Sequence, residues 1–210
     1  MAPRLFVKIC GVTTPDDAAA AAAAGADAIG VNLWPGSKRF VEPEAARDVL
    51  AAVPATVLKV GVFVDAPVDE VERRIDELEL DRAQLHGDES AAHFGGLDRR
   101  LIRALRVRDE GSFEGAAGWS PALWLYDAYV EGFGGGGVPA PWALIAEHAW
   151  RPFLLAGGLT PENVAAAVAA TAANGVDVAS GVESSPRRKD PGKVAAFIAA
   201  ARGATRPATT

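Results

Sequence analysis

The stretch FLLAGGLTPENVAAAVAATAANGVDVAS (153–180) holds one complete repeat of the fold. Its two ends, 153–157 and 176–180, are short apolar runs of the kind found in buried strands. Between them, an Ala-rich helical segment at 161–172 follows Thr160, a favourable N-cap, and starts with proline. A helix between two buried strands is the crossover connection that parallel strands require. The stretch therefore predicts a parallel βαβ unit.

The same alternation occupies the rest of the chain. The other predicted strands are 5–10, 28–33, 57–64, 82–86, 101–107 and 122–128. The other predicted helices are 15–24, 43–53, 67–78, 90–97, 110–118, 141–149 and 190–201. Eight strands alternating with eight helices predict an α/β protein, a single-domain (β/α)8 TIM barrel over 1–203 with a flexible tail over 204–210. A doubly wound open sheet is the competing fold, but even units without a break in composition favour the closed barrel.

Composition and charge limit the partners and the compartment. The net charge is −6 and the longest run of cations has three residues (187–189), so nucleic acid is not expected as a partner. No apolar run approaches the ~20 residues that cross a bilayer, and the N-terminus does not look like a signal peptide, which predicts a cytoplasmic protein without membrane contact. The single cysteine excludes an internal disulfide, and no metal-binding motif is found. A monomer and a homodimer both stay open.

Glycine-containing pairs follow the last two predicted strands, at the end where such barrels carry their chemistry. Gly157-Gly158 lies at the end of strand seven, and Ser180-Gly181 lies at the end of strand eight. Small residues let backbone N–H groups approach an anion closely, as a phosphate site requires. Glycine after a strand is also ordinary turn chemistry, but two such pairs at adjacent strand ends favour a phosphate site.

A carboxylate and a thiol fall at the same predicted end. Strand alternation puts Leu123, Leu125 and Asp127 on one face, so Asp127 lies at the barrel mouth if that face points inward. There it can serve as a general acid, although an aspartate at this place can also simply cap the next loop. Cys10, the only cysteine, ends strand one and is either a small core residue or a base or nucleophile.

Strand one also carries a lysine between apolar neighbours. Lys8 shares its face with Cys10, whereas Val7 and Ile9 point the other way, toward the helices. A buried lysine needs an anionic partner. Asp177 alternates with valines on strand eight, which adjoins strand one in a closed barrel, so we predict a Lys8–Asp177 pair.

Three further polar residues lie near the predicted mouth. Arg39 follows strand two, and its planar guanidinium suits a carboxylate or a phosphate, although a solvated loop cation is an equally good interpretation. Gln84 and His86 share one face of strand four. We interpret His86 as an interior hydrogen-bonding residue rather than a catalyst.

Six motifs resemble those of the phosphoribosylanthranilate isomerase family. They are KICGV (8–12), SKRFV (37–41), QLHGDE (84–89), LYDAYVEGFGGGG (125–137), LAGGLTPENV (155–164) and GVDVASGVES (175–184). They occur in the family's order and spacing between residues 7 and 197. Any one of them is a weak signal, but the first and the last two together are specific.

The resemblance implies an isomerase of tryptophan biosynthesis that uses no cofactor. The family converts a small phosphorylated substrate, N-(5′-phosphoribosyl)anthranilate, into 1-(o-carboxyphenylamino)-1-deoxyribulose 5-phosphate by an Amadori rearrangement. By position in the motifs, Asp127 is the general acid, Cys10 is the general base and Arg39 binds the anthranilate carboxylate, while the two glycine-containing pairs hold the phosphate. A thiol acting as base has to ionise more readily than a free one with a pKa of about 8.5, and the expected causes are Lys8 and the cationic intermediate of the substrate.

The chain departs from the family pattern in two places. After strand six, a hydroxyl residue and a lysine are replaced by Gly136 and Val138, so substrate affinity or closure over the site is expected to differ. Arg187 stands where glycine is usual, so the local turn is expected to change.

Two other functions compete with the isomerase. One is a lyase resembling indole-glycerol-phosphate synthase, but the lysine acid and the glutamates of such a site have no match at the strand ends. The other is a non-catalytic phosphate-binding barrel, which is expected to have lost the acid or the base. Both are present as Asp127 and Cys10.

Overall fold

The computed structural model describes residues 4–129 and 140–205, whose centre is a closed barrel of eight parallel strands. The strands are β1 (Phe6–Cys10), β2 (Ala28–Asn32), β3 (Leu58–Phe63), β4 (Arg82–Leu85), β5 (Leu101–Val107), β6 (Leu123–Ala128), β7 (Phe153–Leu155) and β8 (Gly175–Val178). Each strand pairs with the next one in the chain, and β8 pairs back with β1. The predicted (β/α)8 TIM barrel is therefore confirmed, and the doubly wound open sheet is wrong.

Helices surround the barrel. They are α1 (Pro15–Ala23), α2 (Pro43–Ala51), α3 (Val68–Glu77), α4 (Ala91–Phe94), α5 (Trp142–His148), α6 (Val164–Thr171) and α7 (Pro191–Gly203). The 3₁₀ helices are Gly95–Arg100, Glu110–Ala116 and Ser180–Val182. A two-stranded antiparallel hairpin of β9 (Glu183–Ser185) and β10 (Arg188–Lys189), which was not predicted, leads from β8 into α7.

The prediction of eight α-helices is wrong at one position. The connection after β5 is the 3₁₀ helix Glu110–Ala116, so the described residues contain seven α-helices. Gly111 and Gly115 lower the helix propensity of this segment. The side chain of Ser112 accepts hydrogen bonds from the backbone of Arg108 and Asp109, which favours a tight first turn.

A cluster of apolar side chains lies inside the barrel. Its buried members are Ala28, Val60, Ile102, Ala104, Leu125, Leu154 and Ala156. The larger apolar cluster lies outside the strands, between the barrel and the helices. Strand residues alternate between these two environments, so the inward-facing polar residues of β1, β4, β6 and β8 share the interior with this cluster. The barrel interior therefore contains both an apolar cluster and the polar residues of the candidate site.

Three expectations concern the loops and the tail. Residues 206–210 of the predicted tail lie outside the described residues, as do Gly136 and Val138. At Arg187 the backbone is left-handed, with φ 73°, in the region that glycine adopts most easily. This conformation costs an arginine about 1–2 kcal/mol.

Within the described residues, no helix combines the length and the apolar character needed to span a membrane.

Candidate active site

A cavity of about 150 Å³ opens at the end of the barrel where the strands finish. Among the residues that line it are six named from the sequence: Cys10, Arg39, Gln84, His86, Asp127 and Asp177. The predicted Lys8 lies directly beneath and is fully buried. The cavity therefore brings residues from β1, β4, β6 and β8 to one place, although they are far apart in sequence.

The wall formed by β1 and β8 holds a buried ion pair. The Nζ of Lys8 donates to Oδ1 of Asp177 over 2.8 Å, which confirms the predicted pair. Gly30 on the neighbouring strand leaves room for the lysine and the thiol together. A Cβ atom at that position would lie 3.0 Å from the Sγ of Cys10 and 3.2 Å from the Nζ of Lys8. The ammonium group and the thiol thus border the same small space.

The charges around Cys10 act on its pKa in opposite directions. Burial raises the pKa of the Cys10 thiol and the Asp177 carboxylate raises it further, while the ammonium groups of Lys8 and Lys189 lower it without offsetting the rise. Burial disfavours the Lys8 ammonium, but Asp177 and Cys10 outweigh this and hold the pKa of Lys8 above its usual value. The expectation that Lys8 makes Cys10 ionise more readily is therefore wrong for the protein without substrate, because burial, and then Asp177, outweigh the effect of the lysine on the pKa of Cys10.

Asp127 is held by its own backbone and by β4. Its Oδ1 accepts a hydrogen bond from the backbone N–H of Ala128 over 2.8 Å. Its Oδ2 lies 3.3 Å from the Nε2 of His86, whose Nδ1 lies 2.9 Å from the Nε2 of Gln84. An amide that donates to Nδ1 leaves the imidazole proton on Nε2, which faces the carboxylate. His86 thus makes an interior hydrogen bond, as predicted, with Gln84, and its Nε2 lies beside the candidate acid without a hydrogen bond of normal geometry.

Arg39 reaches the mouth paired with a residue that the sequence interpretation did not assign. Its Nε and Nη2 donate to the two carboxylate oxygens of Glu183 over 2.6 and 2.8 Å. The Nζ of Lys189 also donates to Glu183, over 3.3 Å, and to the carbonyl oxygen of Ala179 over 2.8 Å. Although burial opposes ionisation, Arg39 and Lys189 hold the pKa of Glu183 below its usual range. This cluster ties the loop after β2 to the end of β8.

The predicted phosphate site lies at the neighbouring ends of β7 and β8. Gly157 and Gly158 have φ values of 87° and 60°, which favour glycine. A Cβ at position 157 would lie 2.9 Å from the Oδ1 of Asp127, so this glycine also leaves room for the carboxylate. A Cβ at Gly181 would overlap the carbonyl oxygen of Leu159. The two loops therefore pack directly against each other at adjacent strand ends.

A metal centre has no evident ligands in this part of the fold. Residues 4–129 and 140–205 contain no group of three or more His, Cys, Asp or Glu side chains placed to hold a metal ion.

Similarity to known proteins agrees with this geometry. Residues 7–200 match the family of N-(5′-phosphoribosyl)anthranilate (PRA) isomerase. The chain belongs to the phosphoribosylanthranilate isomerase family. Membership confirms an isomerase of the aldose–ketose type that belongs to tryptophan biosynthesis.

Named relatives cover the chain almost completely. An N-(5′-phosphoribosyl)anthranilate isomerase of Neisseria meningitidis serogroup C is 45% identical over 207 residues, 97% of this chain and 99% of that protein. One of Geotalea daltonii is 46% identical over 199 residues, 93% of this chain and 96% of that protein.

Solved structures of the family share the fold. The phosphoribosyl anthranilate isomerase of Thermotoga maritima superposes with a TM-score of 0.88 at 36% identity, covering 95% of this chain and 99% of that one. A phosphoribosyl anthranilate isomerase solved in complex with reduced 1-(o-carboxyphenylamino)-1-deoxyribulose 5-phosphate has a TM-score of 0.84 at 34% identity, with the same two coverages.

Proposed function

We propose that this chain isomerises N-(5′-phosphoribosyl)anthranilate to 1-(o-carboxyphenylamino)-1-deoxyribulose 5-phosphate. The observation that carries the proposal is that Cys10, Asp127 and Arg39 line one cavity at the functional end of the barrel. Further support comes from the relative that binds a reduced form of this product. The reaction as proposed rearranges bonds within one molecule and needs no cofactor.

The first step opens the ribose ring. Asp127, in its protonated form, gives its proton to the ring oxygen as the bond from that oxygen to C1′ breaks. The nitrogen lone pair forms the C1′=N bond of a cationic Schiff base at the same time. The hydrogen bond from Ala128 orients the carboxyl group, and the imidazole of His86, 3.3 Å from the other oxygen, limits its rotation.

The second step removes a proton from C2′. The Cys10 thiolate takes this proton, and the electrons of the C–H bond form the C1′=C2′ bond and neutralise the iminium nitrogen. The resulting enolamine then tautomerises to the ketone. Because Lys8 and Lys189 do not offset the effect of burial on the pKa of Cys10, the positive charge of the Schiff base adds the further stabilisation that the thiolate needs.

Substrate binding uses the two ends of the molecule. Glu183 occupies two of the five N–H donors of Arg39 and fixes the plane of the guanidinium. Within the described part of the chain, the edge with Nη1 is left for the anthranilate carboxylate. The substrate phosphate is bound by the backbone at Gly157-Gly158 and Ser180-Gly181, whose loops pack together.

Activity is measured directly by generating phosphoribosylanthranilate in situ and following the decay of its anthranilate fluorescence. The wild-type protein is expected to accelerate this decay far beyond the rate in buffer. A rate equal to that of buffer would contradict the proposal and favour a phosphate-binding barrel without this activity. Matched reactions without protein and with heat-denatured protein control for the instability of the substrate.

Replacing Arg39 by methionine is expected to raise KM by about 10- to 100-fold, because a hydrogen bond to a charged group is worth roughly 1.5–3 kcal/mol. For the substrate analogue made from aniline, which lacks the carboxylate, Arg39→Met should raise KM much less. Arg47→Met, a change at an exposed arginine on α2, is the matched control and should leave KM unchanged. An unchanged KM in Arg39→Met would remove the proposed contact.

The pH dependence follows from the raised pKa of Cys10. Because the thiolate is the active base, kcat/KM should continue to rise at pH values above about 8.5, where an ordinary thiol is already half ionised. Removing the cation in Lys189→Met should move this rise to higher pH, since Lys189 lowers the pKa of Cys10. The matched change Lys193→Met, at an exposed lysine, should not. A profile that stays in place in Lys189→Met would show that this charge does not reach the thiol.

A further inference from the structure

A buried ion pair lies behind β4, outside the catalytic cavity. Arg103 on β5 is 5% exposed, and the side chain of Glu89, in the loop after β4, is 2% exposed. The Nη1 of Arg103 donates to the Oε2 of Glu89 over 2.7 Å. The guanidinium carbon also lies 4.9 Å from the centre of the Trp119 ring. The two steps of the proposed reaction use neither charged group.

The pair binds the backbone on both sides of His86. Arg103 donates to the carbonyl oxygens of Leu85 and Gly87, each over 3.1 Å. The carboxylate of Glu89 accepts the backbone N–H of Gly87 over 3.0 Å. Together these bonds fix the residue before His86 and the residue after it. We call Arg103 and Glu89 the β4 clamp.

Glu89 of the clamp also binds the neighbouring loop, which follows β3. The backbone of His86 has a hydrogen bond of its own to β3. Glu89 accepts the backbone N–H of Asp65, in the loop after β3, over 2.9 Å. The N–H of His86 itself donates to the carbonyl oxygen of Phe63 over 2.9 Å. The chain around His86 is therefore fixed from β3, from β5 and from its own loop, which leaves its imidazole little freedom in front of Asp127.

Stability alone is a poor explanation for such a pair. Burial lowers the pKa of Arg103, although Glu89 opposes this, which shows that removing the guanidinium from water is costly here. Replacing a buried ion pair by well-packed apolar residues is often neutral or stabilising. A planar fork that binds two carbonyl groups and a carboxylate at once does, however, define geometry better than apolar packing.

We propose that the β4 clamp positions His86 and, through it, the general acid Asp127. Arg103 and Glu89 are positioning residues, because they touch neither the cavity nor the reacting atoms. The inference rests on the proposed function of Asp127 as the acid. Its effect belongs to the ring-opening step, so loss of the clamp should lower kcat and leave KM close to its wild-type value.

The kinetic test is Arg103→Lys, which keeps the positive charge and removes the planar fork. We expect kcat to fall by about 10- to 100-fold, since small displacements of catalytic groups have effects of this size. Arg151→Lys is the matched control, because Arg151 also donates to two carbonyl oxygens and lies 4.9 Å from the ring of Phe153, away from the site. Equal losses of kcat in the two variants would overturn the proposal.

A double-variant comparison separates positioning from a general structural effect. If the clamp acts through His86, then Arg103→Lys should lower kcat little further when His86→Ala is already present. If the full loss of kcat is retained in the His86→Ala background, the route through His86 is wrong. Glu89→Gln provides the same comparison with a second residue and serves if Arg103→Lys does not fold.

A spectroscopic measurement tests the clamp without reference to activity. The chain has three histidines, so ¹⁵N-histidine labelling gives few signals, and His86→Ala assigns those of His86. In Arg103→Lys and Glu89→Gln, the imidazole signals of His86 should shift or broaden, while those of His93 and His148 stay in place. Unchanged His86 signals would overturn the proposal. Shifted signals in a protein without isomerase activity would instead reject the proposed function and leave the clamp standing.

Discussion

Asp127→Asn is expected to lower kcat by about 10²–10⁴-fold, the usual contribution of a general acid, with KM close to wild type. The amide keeps the size of the side chain and can still meet His86, but it has no acidic proton for the ring oxygen. The measurement is the fluorescence decay of phosphoribosylanthranilate at saturating substrate, with thermal unfolding as a check that the barrel is intact. Substantial activity in Asp127→Asn would remove its role as the acid.

Cys10→Ser tests the other half of the same acid–base pair and should reduce kcat to a similar extent. A serine hydroxyl fits the space above Gly30 but does not ionise in the working pH range. The rise of kcat/KM with pH should also disappear in this variant, because it belongs to the thiol. Persistence of that rise would assign it to another group.

Lys8→Met is expected to lower the free energy of unfolding by about 3–5 kcal/mol, the usual result of removing one partner of a buried ion pair. Methionine matches the length of the lysine, so the loss comes from the Asp177 carboxylate, which is left without its partner in the barrel wall. Unfolding in urea provides the measurement. The exposed pair on α3 offers a control, since Arg73→Met should cost about 1 kcal/mol or less.

The double variant Lys8→Met/Asp177→Asn completes the stability test. Because it removes the uncompensated charge, it should recover part of the stability that Lys8→Met loses. A Lys8→Met protein with the stability and the kinetics of wild type would show that the pair matters neither for the barrel nor for Cys10.

The barrel follows from local patterns in the sequence. Short apolar strands separated by capped helices leave few alternatives, and the first and last strands have to meet if the sheet closes. The Lys8–Asp177 pair could be predicted for the same reason, because both residues lie on known faces of known strands. The prediction of an α-helix after β5 was wrong. Residue spacing alone does not distinguish an α-helix from the observed 3₁₀ helix, whereas Gly111 and the hydrogen bonds of Ser112 favour the latter.

Contacts between loops could not be predicted in this way. Arg39 and Glu183 are 144 positions apart in two loops, where side-chain direction does not follow strand alternation. Arg103 of the clamp lies on a strand whose residues alternate between two faces, but the sequence does not indicate that its buried partner is Glu89. The raised pKa of Cys10 depends on the balance of burial with three charges, and only three-dimensional distances determine that balance.

The Lys8–Asp177 pair joins the first strand of the barrel to the last, across 169 positions of the chain. The candidate base therefore sits on the seam of the barrel. A nascent chain carries Cys10 from the beginning of synthesis, yet its surroundings are incomplete until β8 has left the ribosome and closed against β1. The candidate site is thus complete only at the end of folding, and a fragment that stops before β8 carries Cys10 without the residues that surround it.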